Sequence, residues 1–75
     1  MLNEFAAFIT KERKEKGMST AELSRKADVP YTTLDQIEKG RSIPQIVTFD
    51  KIITALDYEL ILMKKTKLEE IFKES

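Results

Sequence analysis

Residues 18–41 read MSTAELSRKADVPYTTLDQIEKGR, and this stretch decides the fold. Ser19-Thr20-Ala21-Glu22 fits a capping box, in which a side-chain hydroxyl accepts from a backbone N–H and the Glu reaches back. The helix that starts there is predicted to run to about Ala27. Asp28-Val29-Pro30 ends it, because the residue before a proline is pushed out of helical geometry.

A second short helix is predicted directly after this break, from Tyr31 to Lys39, with Gly40 closing it. Leu34 and Ile37 lie three residues apart in it and are expected to face inward. Two short helices joined by a three-residue turn form a helix-turn-helix hairpin. The sequence therefore predicts this motif at the centre of the chain.

Helical patterns flank the hairpin on both sides. Before it, residues 3–16 show apolar side chains at helical spacing, and Gly17 stops that surface helix. After it, the loop Ser42-Ile43-Pro44 leads into a fourth helix with a broad apolar stripe. The stripe consists of Ile46, Phe49, Ile52, Ile53 and Leu56. The predicted core is therefore all-α and contains four helices.

The pattern changes after the fourth helix. Side chains alternate over residues 58–64 and β-favouring types dominate, which predicts a short C-terminal β-strand. A lone strand leaves unpaired backbone groups, so it either caps the helical core locally or pairs with a second copy across a dimer axis. We favour the dimer sheet. The dimer-strand residues are Tyr58, Leu60 and Leu62.

The last residues, 66–75, carry Leu68, Ile71 and Phe72 at helical spacing. They form either a short docked helix or a mobile segment. We therefore divide the chain into a helix-turn-helix domain, 1–57, and a C-terminal strand and tail, 58–75, that serves dimerisation or partner contact.

Composition narrows the function. The chain has 75 residues, enough for one domain, and contains neither Cys nor His. That argues against disulfides, structural zinc and nucleophilic or imidazole catalysis, so we expect no enzyme, no metal and no cofactor. We expect oligomerisation as the remaining support for so small a core. The longest apolar run, Leu60–Met63, is too short for a membrane span, and no signal peptide opens the chain, so we expect a cytoplasmic protein.

Charge is balanced over the whole chain, with 13 basic and 13 acidic side chains. From Lys11 to Arg41 the sequence contains eight basic and six acidic residues, which is a mild local surplus of positive charge. The charged run from Lys11 to Lys16 is interrupted by Glu12 and Glu15 and is interpreted as a solvated helix face. Any nucleic-acid binding should therefore have modest nonspecific affinity.

The segment from Met18 to Arg41 and the helix after it resemble the Xre family, the Cro and phage-repressor type of helix-turn-helix. The resemblance covers roughly residues 5–57 and is carried jointly by several positions. These are Leu23-Ser24, Val29, Leu34, Ile37, the ending Glu38-Lys39-Gly40-Arg41, Pro44 and the run from Thr48 to Leu56. Asp28 and Asp57 depart from the family, which most often has Gly there. The Asp28 position tends to positive φ, which Asp tolerates better than most residues.

The resemblance implies double-stranded DNA as the partner and the helix 31–39 as its reader. With Leu34 and Ile37 inward, the residues at positions that touch base edges are Tyr31, Thr32 and Gln36. The candidates for phosphate contact are Thr20, Arg25, Thr33, Lys39, Arg41 and Ser42. Arg13 and Glu38 match a pair that forms a partly buried salt bridge in the family, and we expect a structural role for it. Tyr31 has an alternative role, packing half-buried against the preceding helix.

Two functions follow from this resemblance. One is a sequence-specific transcriptional regulator, a repressor that binds a palindromic operator as a homodimer, with half-sites about 34 Å apart. The other is an antitoxin that binds a toxin protein and also represses its own operon. Residues 55–62 resemble Xre-type antitoxins of the Hip and Hig kinds, and the predicted strand and tail are not needed for DNA contact.

Overall fold

The computed structural model describes residues 3–74, in which five α-helices follow one another along the chain. They are α1 (Glu4–Glu15), α2 (Thr20–Ala27), α3 (Tyr31–Glu38), α4 (Ile46–Ala55) and α5 (Lys65–Glu74). The four helices predicted for the core are confirmed, and α2 and α3 form the predicted hairpin. Residues 1, 2 and 75, which belong to the predicted ranges 1–57 and 66–75, lie outside the described residues.

Side-chain caps begin the first two helices. The backbone N–H of Ala6 donates to Oδ1 of Asn3 at 2.7 Å and so caps α1. The capping box predicted for α2 is confirmed, because the Glu22 N–H donates to Ser19 Oγ at 3.0 Å and the Ser19 N–H donates to Glu22 Oε1 at 3.2 Å. A side-chain cap of this kind is typically worth about 1 kcal/mol.

One motif ends all four core helices. Each has a residue in the left-handed conformation just after it, and the following N–H donates to a carbonyl five residues back, as in the Schellman motif. The left-handed residues are Gly17, Asp28, Gly40 and Asp57, with φ of 69°, 57°, 74° and 69°. The positive φ expected at Asp28 is thus confirmed, and Asp57 shares it.

The core lies where α2 packs against both α3 and α4, with α1 against α3. The largest fully buried side chains are Ile9, Leu23, Leu34, Ile37, Ile52 and Leu56. The inward orientation predicted for Leu34 and Ile37 is therefore confirmed. Because these two residues fix the buried side of α3, the side chains of its first turn, residues 31–33, are directed away from the core and are exposed.

The β-strand predicted over 58–64 is wrong, since these residues have no regular secondary structure and the described chain, 3–74, contains no strand. Tyr58 is held by helices instead. Its N–H donates to the Ile53 carbonyl at 2.9 Å, and its ring lies edge-on to that of Phe8, with centroids 5.2 Å apart. Leu60 and Leu62 are exposed. Alternation alone did not make a strand, because within residues 3–74 no second strand lies beside the segment to form a ladder with it.

The sequence predicts two alternatives for residues 66–75, a short docked helix or a mobile segment. The structure has a helix there, α5, but α5 is not among the helix pairs that pack closely. Its residues 65–73 are all exposed. Within residues 3–74, no helix has the length and apolarity to cross a membrane.

Candidate nucleic-acid interface

The first turn of α3 presents a polar surface. Tyr31, Thr32 and Thr33 are all exposed, and Tyr31 retains 52% of its accessible surface, so its ring is not buried against α2. Pro30 precedes the helix, and no side chain caps this end of α3. Its eight residues span about 12 Å, close to the ~12 Å width of the major groove.

The second turn of α3 carries Gln36 and an ion pair. Gln36 is half-buried and lies one turn after Thr32 on the same side of the helix. The ammonium of Lys39 is 2.8 Å from Oδ2 of Asp35, an i,i+4 pair. This pairing reduces the repulsion that the Asp35 carboxylate would exert on a phosphate backbone. It also engages Lys39, one of the predicted phosphate contacts.

The loop after α3 holds two further candidates, Arg41 and Ser42, and both are exposed. The Arg41 N–H donates to the Gln36 carbonyl at 3.0 Å as part of the helix-ending motif at Gly40. The backbone of Arg41 is thereby fixed at the C-terminal end of α3, whereas its side chain makes no ion pair with the described residues.

On α2, Thr20 is the first helical residue and is half-buried, while Arg25 is exposed. Arg25, like Arg41, has no ion pair within residues 3–74. Of the three positively charged candidates for phosphate contact, only Lys39 has an ion-pair partner among the described residues, namely Asp35. The candidates lie before, within and after α3 along the chain.

A nearly buried network holds α3 against α1. Arg13 Nε lies 2.8 Å from Glu38 Oε1, and the two side chains are 13% and 8% exposed. The same oxygen accepts from Thr10 Oγ1 at 3.2 Å, and Arg13 Nη1 donates to the Met18 carbonyl at 2.8 Å. The network joins α1, the turn that follows it and the end of α3. It connects α3 to α1 through Arg13 and Glu38, the pair for which a structural role is expected.

Sequence reasoning missed two members of this network, Thr10 and Met18. No local sequence pattern predicts them, because Thr10 donates a hydrogen bond to a residue on another helix and Met18 accepts one at its backbone carbonyl. The Asp35–Lys39 pair was also missed, although its i,i+4 spacing is a readable signal. Tyr58, Leu60 and Leu62, predicted for a dimer strand, do not belong to the α3 surface but follow α4.

The chain matches a protein family and is similar to a phage protein. A family model described as helix-turn-helix matches residues 9–62, from within α1 to the segment after α4. The chain is also similar to the ImmF control region 10 kDa protein of Bacillus phage phi105. The two are 28% identical over 68 residues, which cover 91% of this chain and 76% of that protein. Both matches include the α2–α3 hairpin.

Proposed function

This chain belongs to the Xre/Cro-type helix-turn-helix family of DNA-binding, non-enzymatic domains, and from that premise we propose that it is a transcriptional repressor whose dimer binds a palindromic operator through α3. The relative's name assigns it to the ImmF control region of a Bacillus phage, which supports a role in controlling transcription. The observation that carries the proposal is the exposed polar face at the start of α3.

Base reading is assigned to Tyr31, Thr32 and Gln36. The amide of Gln36 matches the paired donor and acceptor on the major-groove edge of adenine, and Thr32 offers a hydroxyl as well as a methyl group for thymine. Each good contact of this kind contributes about 1–3 kcal/mol of discrimination. Asp35 receives no base-reading role, since its carboxylate is engaged by Lys39.

Phosphate contacts are assigned to residues that flank this face. Thr20, Thr33 and Ser42 supply hydroxyl donors, and Arg25 and Arg41 supply charge. Lys39 contributes less than its charge suggests, because Asp35 competes for the ammonium. These contacts fix the register of α3 in the groove and carry no sequence information of their own.

We propose a dimer because the chain has no net charge and attracts DNA only weakly. A chain with no net charge gains little nonspecific attraction to DNA, so specificity has to come from base contacts. One eight-residue helix reads only a short half-site. Two copies related by a two-fold axis read two half-sites about 34 Å apart and double the number of contacts.

The antitoxin alternative is not carried forward. It rested on the predicted strand and on the tail 66–75, and residues 58–64 form no strand in the described part of the chain. No other observation favours a toxin over DNA as the primary partner.

The proposal is tested by selecting bound sequences from random duplexes and then measuring the affinity of variants for the enriched site. Gln36→Ala should lower affinity about tenfold or more and flatten the preference at one base pair, because it removes a base contact. Arg41→Ala should weaken binding to all duplexes alike. It should also reduce the slope of log affinity against log salt concentration by about one. Thr54→Ala, at an exposed position on α4, is the control.

The division of labour between Gln36 and Arg41 makes the test decisive. Equal loss of sequence discrimination in both variants would refute the assigned roles. Failure of the wild-type chain to enrich any duplex would refute the operator-binding proposal itself.

A further inference from the structure

An apolar groove runs between α4 and the segment that follows it. It has a volume of about 230 Å³ and is lined by Ile46, Val47, Asp50, Leu60 and Leu62. Ile46 and Val47 are 63% and 66% exposed and Leu62 is 86% exposed, so its apolar walls are largely open to water. Such a cluster of exposed apolar side chains makes the groove a candidate interaction site.

Helix α5 has the complementary shape and pattern. Leu68 and Ile71 lie three residues apart on one face of the helix, and both are exposed. Lys64 and Lys65 lie four and three residues before Leu68, so they extend the same face by one turn. The face therefore combines an apolar stripe with positive charge at its N-terminal end.

The groove and the α5 face carry opposite charges, and none of these charged side chains forms an ion pair within residues 3–74. Asp50 lines the groove, and its side chain makes no hydrogen bond or ion pair with any residue of the described chain. Lys64 and Lys65 likewise have no ion pair within residues 3–74. An apolar groove with one acid thus matches an apolar helix face with two lysines. Such an amphipathic helix in an apolar groove is a recurring recognition arrangement.

We propose that α5 of one copy lies in the groove of a second copy, with the exchange made in both directions around a two-fold axis. The inference deepens the proposed function, since it names the surface through which the operator-binding dimer forms. Reciprocal contacts close the assembly at two copies, because each groove and each helix is then used once.

The groove is poorly placed for the α5 of its own chain. Helix α5 begins at Lys65, only three residues after Leu62, which forms part of the groove. To enter that groove, the chain would have to reverse within Met63 and Lys64. In the structure α5 does not pack closely on α4. A second copy supplies the same helix without this constraint.

The experiment uses sedimentation equilibrium of the full chain without DNA, so that a failure here is distinct from a failure of operator binding. Two variants reverse the charges: Asp50→Lys in the groove, and Lys64→Glu with Lys65→Glu on the helix. Each should weaken the dimer about tenfold, because every contact then places like charges together. Each variant should keep the helical content of the wild type, measured by circular dichroism.

Mixing the two variants gives the decisive result. In a mixed dimer, the groove made basic by Asp50→Lys faces the helix made acidic in the other variant, and the unchanged acidic groove faces the unchanged basic helix. Both contacts are matched, so the mixture should recover wild-type dimerisation although neither variant dimerises well alone. Packing of α5 on its own groove predicts no recovery. Contact between two grooves predicts instead that the variant with Lys64→Glu and Lys65→Glu dimerises normally by itself, because its groove is unchanged.

Apolar substitutions provide a matched control. Leu68→Glu on the helix face should abolish the dimer, whereas Ile61→Glu, at a 67% exposed position between two groove residues but outside the lining, should leave it unchanged. A wild-type chain that remains monomeric at high micromolar concentration, or a mixture without recovery, overturns the proposal. Either result would leave the groove to another protein.

Discussion

Residues 4–57 and residues 58–74 contain similar kinds of side chains, but the structure uses them differently. In the first region each helix has a defined end, each contributes apolar side chains to the buried core, and charged groups such as Arg13 and Glu38 pair across helices. In the second region α5 forms with an apolar stripe of its own, yet its residues 65–73 stay exposed. The difference shows that helical spacing of apolar residues predicts a helix but not its docking, and a helix of only ten residues gains little stability until its apolar face is packed.

The largest effect is expected from the nearly buried ion pair of the core. Glu38→Ala removes the partner of Arg13 and leaves an uncompensated charge that is mostly desolvated, which should lower the free energy of unfolding by about 3–5 kcal/mol. Urea denaturation measures the change. The double variant Arg13→Met with Glu38→Met should be less destabilised than Glu38→Ala. An effect no greater than that of an exposed pair would show that the network does not hold α3 in place.

The next effect compares one residue type in the two regions. Leu34→Ala in α3 should cost about 2–5 kcal/mol, because the side chain is fully buried and its removal leaves a cavity. Leu68→Ala in α5 should change stability by no more than about 0.5 kcal/mol, since the side chain is exposed. Both are measured in dilute solution, where the proposed dimer is dissociated. Comparable losses would mean that α5 packs on the core.

A smaller effect, in the stabilising direction, is expected at the end of α2. Asp28 adopts φ of 57°, a left-handed conformation that costs a side-chain-bearing residue roughly 1–2 kcal/mol. Asp28→Gly should therefore raise the melting temperature and stabilise the chain by about 0.5–1 kcal/mol, the gain being reduced by the greater freedom of glycine in the unfolded chain. Glu69→Gly, at an exposed position of α5, is the control and should not stabilise the chain.

The smallest effect concerns an exposed contact between α1 and the residue after α4. Lys16 Nζ lies 2.7 Å from Asp57 Oδ2, and this hydrogen bond lowers the pKa of Asp57 below its ordinary value of 3.8. A lowered carboxyl pKa gives stability that is present above the ordinary value and lost as the pH falls through the folded pKa. The small advantage of the wild type over Lys16→Met at neutral pH should therefore shrink in urea melts as the pH falls below the ordinary carboxyl pKa of 3.8. An unchanged difference would mean that the contact does not stabilise the fold.

Local patterns predicted much of the core correctly. The capping box at Ser19, the inward pair Leu34 and Ile37, and the left-handed Asp28 depend on residues close together in sequence or on the family resemblance. The strand over 58–64 failed for a physical reason, since alternation describes which side chains share a face and not whether a second strand is present. Tyr58 is instead held by Phe8, a contact between distant parts of the chain that no periodicity reveals.

The candidate interface shows the same limit. Exposure at Tyr31 and Thr32 follows from burial of the opposite face of α3, so it could be predicted. The engagement of Lys39 by Asp35, and the participation of Thr10 in the network at Glu38, depend on rotamers and on helix packing. For these contacts, position in the sequence gave residue types but not partners.

The claim that the exposed face of α3 meets the bases is tested most directly by an NMR titration of the ¹⁵N-labelled chain with a duplex selected for binding. The account predicts that the amides of residues 31–36 and 41–42 shift most, with smaller changes at the start of α2. Shifts confined to other helices, with residues 31–36 unmoved at saturation, would contradict it.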